Sequence, residues 1–421
     1  MAYVPPHKRH SRGKDRPSPT PELFVPQFKQ NLNLRSPDVK IDRSRKIVYA
    51  KDAKSMWFAI GLDDNGQFPS YVHLEPISVG PNEHKVGEKP LILVNSRLNE
   101  ENTDLEGIYT KNPWVIIAKN VQQDLMSAFE TLRNEIEHQG LETVKPTLVA
   151  RFGKLRLHGM GLGGIDKGES LDTILRQMKR SLYTNIPLSY MENIIDRVVP
   201  KVGLDFEEEK DIYHVKLSDN RRPDSTVSCK CRVKQDKKLL LCKVELNQVR
   251  HLVIDISCLD TNLDLRLMLC TKRILAALTD DEMKSIRDLI NSAVIDSNVK
   301  GGLRWPLGKE SSGDRYSVVG VWHTVGKAYK DPTLRLKVRH ADRFDFRSGT
   351  GEASKETYLK LKGVISELKA ARANGDSVSS ILNDNLKLIW ENFLSCERAF
   401  RREQCLKFIP NPTTRPPPPR T

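Results

Sequence analysis

The most regular stretch of the chain covers residues 333–347, where Leu334, Leu336 and Val338 alternate with Arg335, Lys337 and Arg339. A period of two is the signature of a β-strand, which sends successive side chains to opposite faces. Phe344 and Phe346 extend the apolar set, with Arg343, Asp345 and Arg347 opposite. The spacing predicts a strand with one apolar and one cationic face. Two other segments share this character. Across residues 146–158, Leu148, Ala150 and Phe152 hold one parity and Leu155 and Leu157 the other, with Arg151, Lys154 and Arg156 among them. Gly153 sits at the phase change, where a bulge would rotate the strand. Further on, Cys229, Cys231 and Val233 alternate with Lys230, Arg232 and Lys234.

The remaining pattern predicts strands at residues 46–50 and 55–60 joined by a short turn, and at 91–94 and 114–118. Val121, Leu125, Phe129, Leu132 and Ile136 predict a helix over about 120–138. Two more helices are expected between 168 and 200, the first marked by Leu171, Ile174, Leu175, Met178 and Leu182, the second by Leu188, Met191, Ile194, Ile195 and Val198. A run of strands follows from Tyr213 to Leu269, with turns short enough to make antiparallel pairing the simplest topology. Thr279 to Glu282 fits a capping box ahead of another helix. Residues 318–325 read as a strand, and 353–373 and 377–397 as closing helices. This order implies an α+β fold, mainly antiparallel sheet packed with amphipathic helices. The expected division is a basic arm at 1–43, units at 44–165 and 166–408, and a Pro-rich tail at 409–421; one continuous domain is the alternative.

Charge changes the picture less than the total suggests. The net charge is +14, but residues 1–46 carry +7 of it and residues 397–421 carry +4. The body is nearly balanced, so its cationic faces gain no support from the total. Both ends are proline-rich and poor in apolar residues, which predicts disorder. No apolar run approaches the length of a membrane span, and no apolar leader opens the chain. Seven cysteines with no C-x-x-C predict free thiols in a reducing compartment, hence cytoplasm or nucleus, and neither a cofactor nor a metal is expected.

The opening Met1-Ala-Tyr-Val-Pro-Pro-His-Lys-Arg-His-Ser11 resembles the start of a family of uncharacterised plant proteins, and the likeness implies lineage but no activity. Tyr3 to Arg9 is also similar to the Tyr-Ile-Pro-Pro-His-Leu-Arg tail segment of some DEAD-box RNA helicases. Lys8 replaces the leucine that would anchor docking there.

Three functions fit these residues. The first is binding to RNA or an RNA-associated partner, through the tails and through Arg335, Lys337, Arg339, Arg343, Arg347, Arg151, Lys154, Arg156, Lys230 and Arg232. It needs the three cationic strands to meet in one sheet; otherwise they are ordinary solvated faces. The second is a scaffold that docks protein partners through residues 1–16 or 411–421. The third is a metal-dependent phosphoryl-transfer enzyme using His340, Asp342 and Asp345, with pairing of the aspartates to neighbouring arginines as the plainer reading. Gly159, Gly161 and Gly164 satisfy G-x-G-x-x-G, but no parallel strand or ribose-binding acid follows, so a hinge or loop fits better.

Overall fold

A computed structural model describes residues 48–63, 67–77, 90–99, 112–137, 142–159, 175–176, 178–275, 278–306, 308, 311–312, 315–370 and 375–394. Strands β1 (Val48–Ile60), β2 (Val72–Pro76) and β3 (Leu91–Asn95) and helix α1 (Pro113–Glu137) lead to β4 (Glu142–His158). Next come β5 (Lys179–Tyr183) and two short helices, α2 (Leu188–Asn193) and α3 (Val199–Val202), joined by a π turn. A run of long strands follows: β6 (Asp205–Asp219), β7 (Arg222–Val233), β8 (Leu239–Leu246), β9 (Val249–Cys258) and β10 (Asp264–Leu275). Helix α4 (Asp280–Asn291) and the two-residue strands β11 (Val294–Ile295), β12 (Leu303–Arg304) and β13 (Ser311–Ser312) precede β14 (Tyr316–Lys330), β15 (Leu334–Asp345) and β16 (Thr350–Leu361). Helices α5 (Lys362–Lys369) and α6 (Gly375–Leu388) follow, the latter continued by a π turn over Ile389–Leu394.

Eight strands close into a barrel. They pair antiparallel in the order β10, β8, β7, β6, β14, β15, β16, β4, and β4 pairs again with β10. The ring closes through short seams, Glu245 of β8 opposite Ile274 of β10 and residues 358–360 of β16 opposite 149–151 of β4. The β4–β10 register runs from Glu142 opposite Leu275 to Gly153 opposite Asp264. Strand β9 adds to the side of β10, and β1 pairs with it in parallel, the exception to an otherwise antiparallel α+β architecture. Because β4 hydrogen-bonds to β10 and β16, the two units expected to meet at residues 165–166 share one sheet.

The barrel's outer wall is apolar and covered. Leu334, Leu336 and Val338 of β15 and Leu359 and Leu361 of β16 pack into a core with Val121 and Leu125 of α1 and Leu382 and Leu386 of α6. A second core joins Val215, Cys229 and Val318 to Ile286 and Leu289 of α4. The capping box of α4 forms, Thr279 accepting from the Glu282 N–H and Glu282 from the Thr279 N–H. Since the outward parity of the barrel strands is apolar, the other parity faces the lumen; it is mostly polar, with Val149, Cys270 and Tyr358 packed together among it.

Several sequence expectations are corrected. Residues 114–118 open helix α1 rather than forming a strand: Ile117 and Ala118 are buried while Val115 and Ile116 are exposed, a helical pattern that a short apolar run conceals. The two strands expected at 46–50 and 55–60 form one strand with an irregularity between Tyr49 and Lys54. The helix expected through Leu182 gives way to strand β5. The helix expected from 353 begins only at Lys362, because pairing with β15 holds the preceding residues extended. The glycine run lies outside the described residues after Gly159, as do both tails.

Candidate anion-binding lumen

Inward parity can be followed around the ring by cross-strand register. Arg335, Lys337, Arg339 and Arg343 of β15 lie opposite Lys360, Tyr358, Glu356 and Glu352 of β16. Tyr358 lies opposite Arg151 of β4. On the other side, Arg343 faces Trp322 of β14, which faces His214 of β6, which faces Lys230 of β7. The cationic strands singled out by sequence therefore meet, inside a barrel rather than on an open face.

The inner wall has two tiers. The deeper one is built on Glu356, which is 3% exposed. Arg339 donates to its Oε2 from Nε at 2.8 Å and from Nη2 at 2.6 Å, and Arg343 donates to its Oε1. Arg343 and Arg339 each lie 4.6 Å from the Trp322 ring centre, and His214 stacks on the same indole at 4.8 Å. Burial pushes the Glu356 carboxyl up, but Arg339, Arg343 and Arg151 outweigh it and hold it well below the usual range. Burial, helped by Lys230 and Arg339, takes His214 down to about 3, so it is neutral at ordinary pH.

The shallower tier is lysine-rich. Lys337, Lys360 and Lys230 make no ion pair with any described residue, and neither does Arg151 just below them. Burial lowers all four, with neighbouring cations adding to the effect. Lys337 falls to about 8 through burial and then through Lys360, Arg335 and Lys210. Lys272 lies 3.8 Å from Glu245, and Lys243 takes the same carboxylate at 2.5 Å. Tyr358 lies between the tiers, with the Arg339 and Arg151 guanidiniums 5.0 and 5.7 Å from its ring centre. Burial raises its phenol, but Arg339, Lys337, Lys360 and Lys272 together bring it down to about 7. At the rim, Arg335 bonds Glu207 and Glu208, both at 2.5 Å.

Not every expected residue joins this wall. Past Gly153, β4 turns to pair with β5, so Lys154 meets Asp264 at 3.5 Å and Arg156 stacks on Tyr183 at 3.9 Å. Arg232 is exposed near the end of β7, and Arg347 follows β15 in a turn. His340, Asp342 and Asp345 do not converge. His340 is exposed on the outer face, Asp342 accepts from the Gly301 N–H at 2.9 Å on that face, and Asp345 has inward parity but accepts from the turn N–H of Arg347. Among the described residues, no cluster of three or more His, Cys, Asp or Glu side chains is placed to hold a metal ion. Cys229 and Cys231 are buried in the outer core. No described helix is long and apolar enough to cross a membrane.

Sequence reading missed Lys272, Glu245, Glu356, Tyr358, Lys360 and Trp322. The signal for three of them was present: Ser354, Glu356, Tyr358 and Lys360 alternate with Lys355, Thr357, Leu359 and Leu361.

No curated protein matches the chain in sequence. Among solved structures, the S. pombe Pct1 RNA triphosphatase is similar at 12% identity and a TM-score of 0.42, over 71% of this chain and 97% of that one. The PH1012 protein of Pyrococcus horikoshii OT3 follows at 10% identity and 0.23, over 50% and 90%. A putative adenylate cyclase of Bacillus halodurans shows 10% identity and 0.21, over 48% and 85%. Similarities at this level carry no inference about activity. The sequence match is more decisive: over residues 41–393 the chain fits the domain of unknown function DUF7903, and it belongs to that family.

Proposed function

We propose that this protein binds a phosphate-rich anion, of the kind RNA and nucleotides carry, inside the barrel. The observation that carries the reading is the excess of inward cations: Lys337, Lys360, Lys230 and Arg151 make no ion pair with a described residue, and the nearby carboxylates Glu356 and Glu245 are already bonded by Arg339, Arg343 and Lys243. Keeping charges out of water without partners is unfavourable, and an anion that supplies oxygens to several of them removes that cost. An eight-stranded barrel leaves room for side chains or one small ligand, so the site suits a single strand or a short oligophosphate and excludes a duplex. RNA binding through open cationic faces thus becomes binding within an enclosed wall. The basic ends and a nuclear or cytoplasmic setting belong to the same proposal. No described residue favours the phosphoryl-transfer reading built on His340, Asp342 and Asp345.

Calorimetric titration with inorganic tripolyphosphate tests the proposal on the full chain, a chain lacking residues 1–43, and a Lys337→Met/Lys360→Met variant. Binding is expected to survive removal of the arm and to weaken on the order of 100-fold in the double variant, since each charge-assisted bond contributes about 1.5–3 kcal/mol. Binding that disappears with the arm and ignores the double substitution would overturn it.

A further inference from the structure

We infer that Tyr49 and Arg250 form a shelf for a nucleobase beside the barrel, which makes the bound anion a single-stranded nucleic acid; the inference rests on the anion-binding reading above. The shelf lies where the ring gives way to its side sheet. Strand β8 meets β10 only at Ile274, and from Thr271 back to Leu265 the same edge of β10 belongs to β9. Cys270 has inward parity and packs with Val149 and Tyr358. It lies opposite Arg250 of β9, and Arg250 lies opposite Tyr49 of β1. Residues directly opposite each other share a face. The inward face of β10 therefore runs on past the ring, over β9, to Tyr49.

Two features of this row point to a ligand. Tyr49 is 51% exposed, so much of a large aromatic ring faces water. Arg250 packs against it, with the guanidinium carbon 5.6 Å from the ring centre and Nη1 donating to Tyr49 Oη at 3.3 Å. A ring already held in place loses less freedom when a ligand stacks on it. Arg250 itself is half-buried and makes no ion pair with a described residue. Burial lowers its pKa against the support of Tyr49, as expected of a cation without a carboxylate. On the same face, Lys145 of β4 is exposed and lies opposite Lys272 of β10.

These groups match what a single strand presents. Every base has a π face that stacks on an aromatic ring, and a guanidinium beside the ring adds to the attraction. The phosphates on either side supply the charge that Arg250, Lys145 and the lysine tier call for. Neighbouring strands are about 4.8 Å apart, so the Tyr49 backbone lies roughly 10 Å from that of Cys270. Cys270 in turn touches Tyr358 in the lumen wall, so a short oligonucleotide spans the shelf and the lysines together. A free oligophosphate has no face to offer Tyr49, and a duplex keeps its bases stacked on one another.

The test uses the full-length protein with three probes: a short single-stranded RNA labelled at its 3′ end, an abasic ribose-phosphate strand of the same length, and inorganic tripolyphosphate. Tyr49→Leu removes the ring from an exposed position, and Tyr49→Phe keeps it. The intact RNA is expected to bind the leucine variant on the order of tenfold more weakly than native or Tyr49→Phe protein, the size of one base–aromatic stack. Tripolyphosphate affinity should change less than about twofold, because the lysine tier is left intact. The abasic strand should bind native and Tyr49→Leu protein alike. Equal binding of intact RNA by these two proteins, still lost in Lys337→Met/Lys360→Met, would overturn the shelf and leave anion binding intact. Tripolyphosphate binding with no RNA bound would do the same. Weakening of all three probes in Tyr49→Leu would show that the ring supports the cationic wall rather than a base, and would also overturn the shelf. No binding that depends on Lys337 and Lys360, with any probe, would overturn the anion reading itself. Should Tyr49→Leu fail to fold, the native protein decides alone: a preference of about tenfold for intact over abasic RNA supports the shelf, and equal affinity overturns it.

Discussion

The two tiers of the lumen hold cations of similar number under opposite terms. In the deeper tier, Glu356 is bonded by Arg339 and Arg343, both guanidiniums lie over Trp322, and His214 stacks on the same indole. In the shallower tier, Lys337, Lys360 and Lys230 share a partly buried wall in which the carboxylate of Glu245 is bonded by Lys243 and faces Lys272. Planar guanidiniums fork onto a carboxylate and stack on rings, so arginine suits a fixed internal network. Lysine offers a mobile point charge on a flexible stem and suits a ligand that comes and goes. In the proposed reading the first tier holds the barrel together and the second receives the anion.

The comparison can be broken most severely at Glu356. Glu356→Gln should cost about 3–5 kcal/mol in urea unfolding, because it leaves two inward guanidiniums without their charge partner. A loss below about 1 kcal/mol would show that the deeper tier is not structural. The folded pKa of Glu356 lies below its unfolded value, so its contribution is present above the ordinary glutamate range and lost as pH falls through the depressed folded value. The native protein should thus lose stability on acidification more steeply than the glutamine variant.

The Lys337→Met/Lys360→Met variant should behave oppositely, keeping its stability or gaining about 1 kcal/mol while tripolyphosphate affinity falls, because unpaired partly buried charges are removed. Marked destabilisation in the same urea experiment would merge the two tiers into one structural network. Next in size is the pH effect on binding. Lys337, with a pKa of about 8, loses its charge as pH rises, and Tyr358, with a pKa of about 7, gains a negative one. Affinity should therefore fall several-fold between about pH 6.5 and 9. Lys337→Met and Tyr358→Phe should each flatten part of that fall, and comparison with native protein cancels the probe's own titration. A profile identical in all three proteins would remove both residues from the site. The smallest expected effect is deletion of residues 1–43, which should reduce the salt dependence of RNA binding while changing tripolyphosphate affinity less than about threefold.

Much of this wall was legible in the chain. Strict alternation placed Arg335, Lys337, Arg339 and Arg343 on one face, and the same parity rule found Arg151 and Lys230. It failed where a strand runs straight into a helix. Leu361 of β16 and Val364 and Leu368 of α5 fall at helical spacing, so the strand was read as helix and Lys360, Tyr358 and Glu356 were lost with it. Lys154 and Arg156 were grouped with Arg151 because no local pattern shows that β4 changes partners at Gly153. Parity already put His340 and Asp342 on the face of Val338 and Phe344 and Asp345 on the opposite one, which is where the strand places them.

Sequence by itself determined which side chains share a face, because strand geometry fixes parity locally. It also placed the capping box of α4 and most of the excess charge in the two ends. Only tertiary structure decided which face meets water. An isolated two-faced strand suggests an apolar side against a core and a charged side in bulk solvent. Closure of eight strands, with helices laid on the outside, puts the apolar parity beneath those helices and gathers the charged parity in an enclosed lumen. That closure depends on contacts as distant in sequence as Arg151 with Tyr358, which no local pattern of residues encodes.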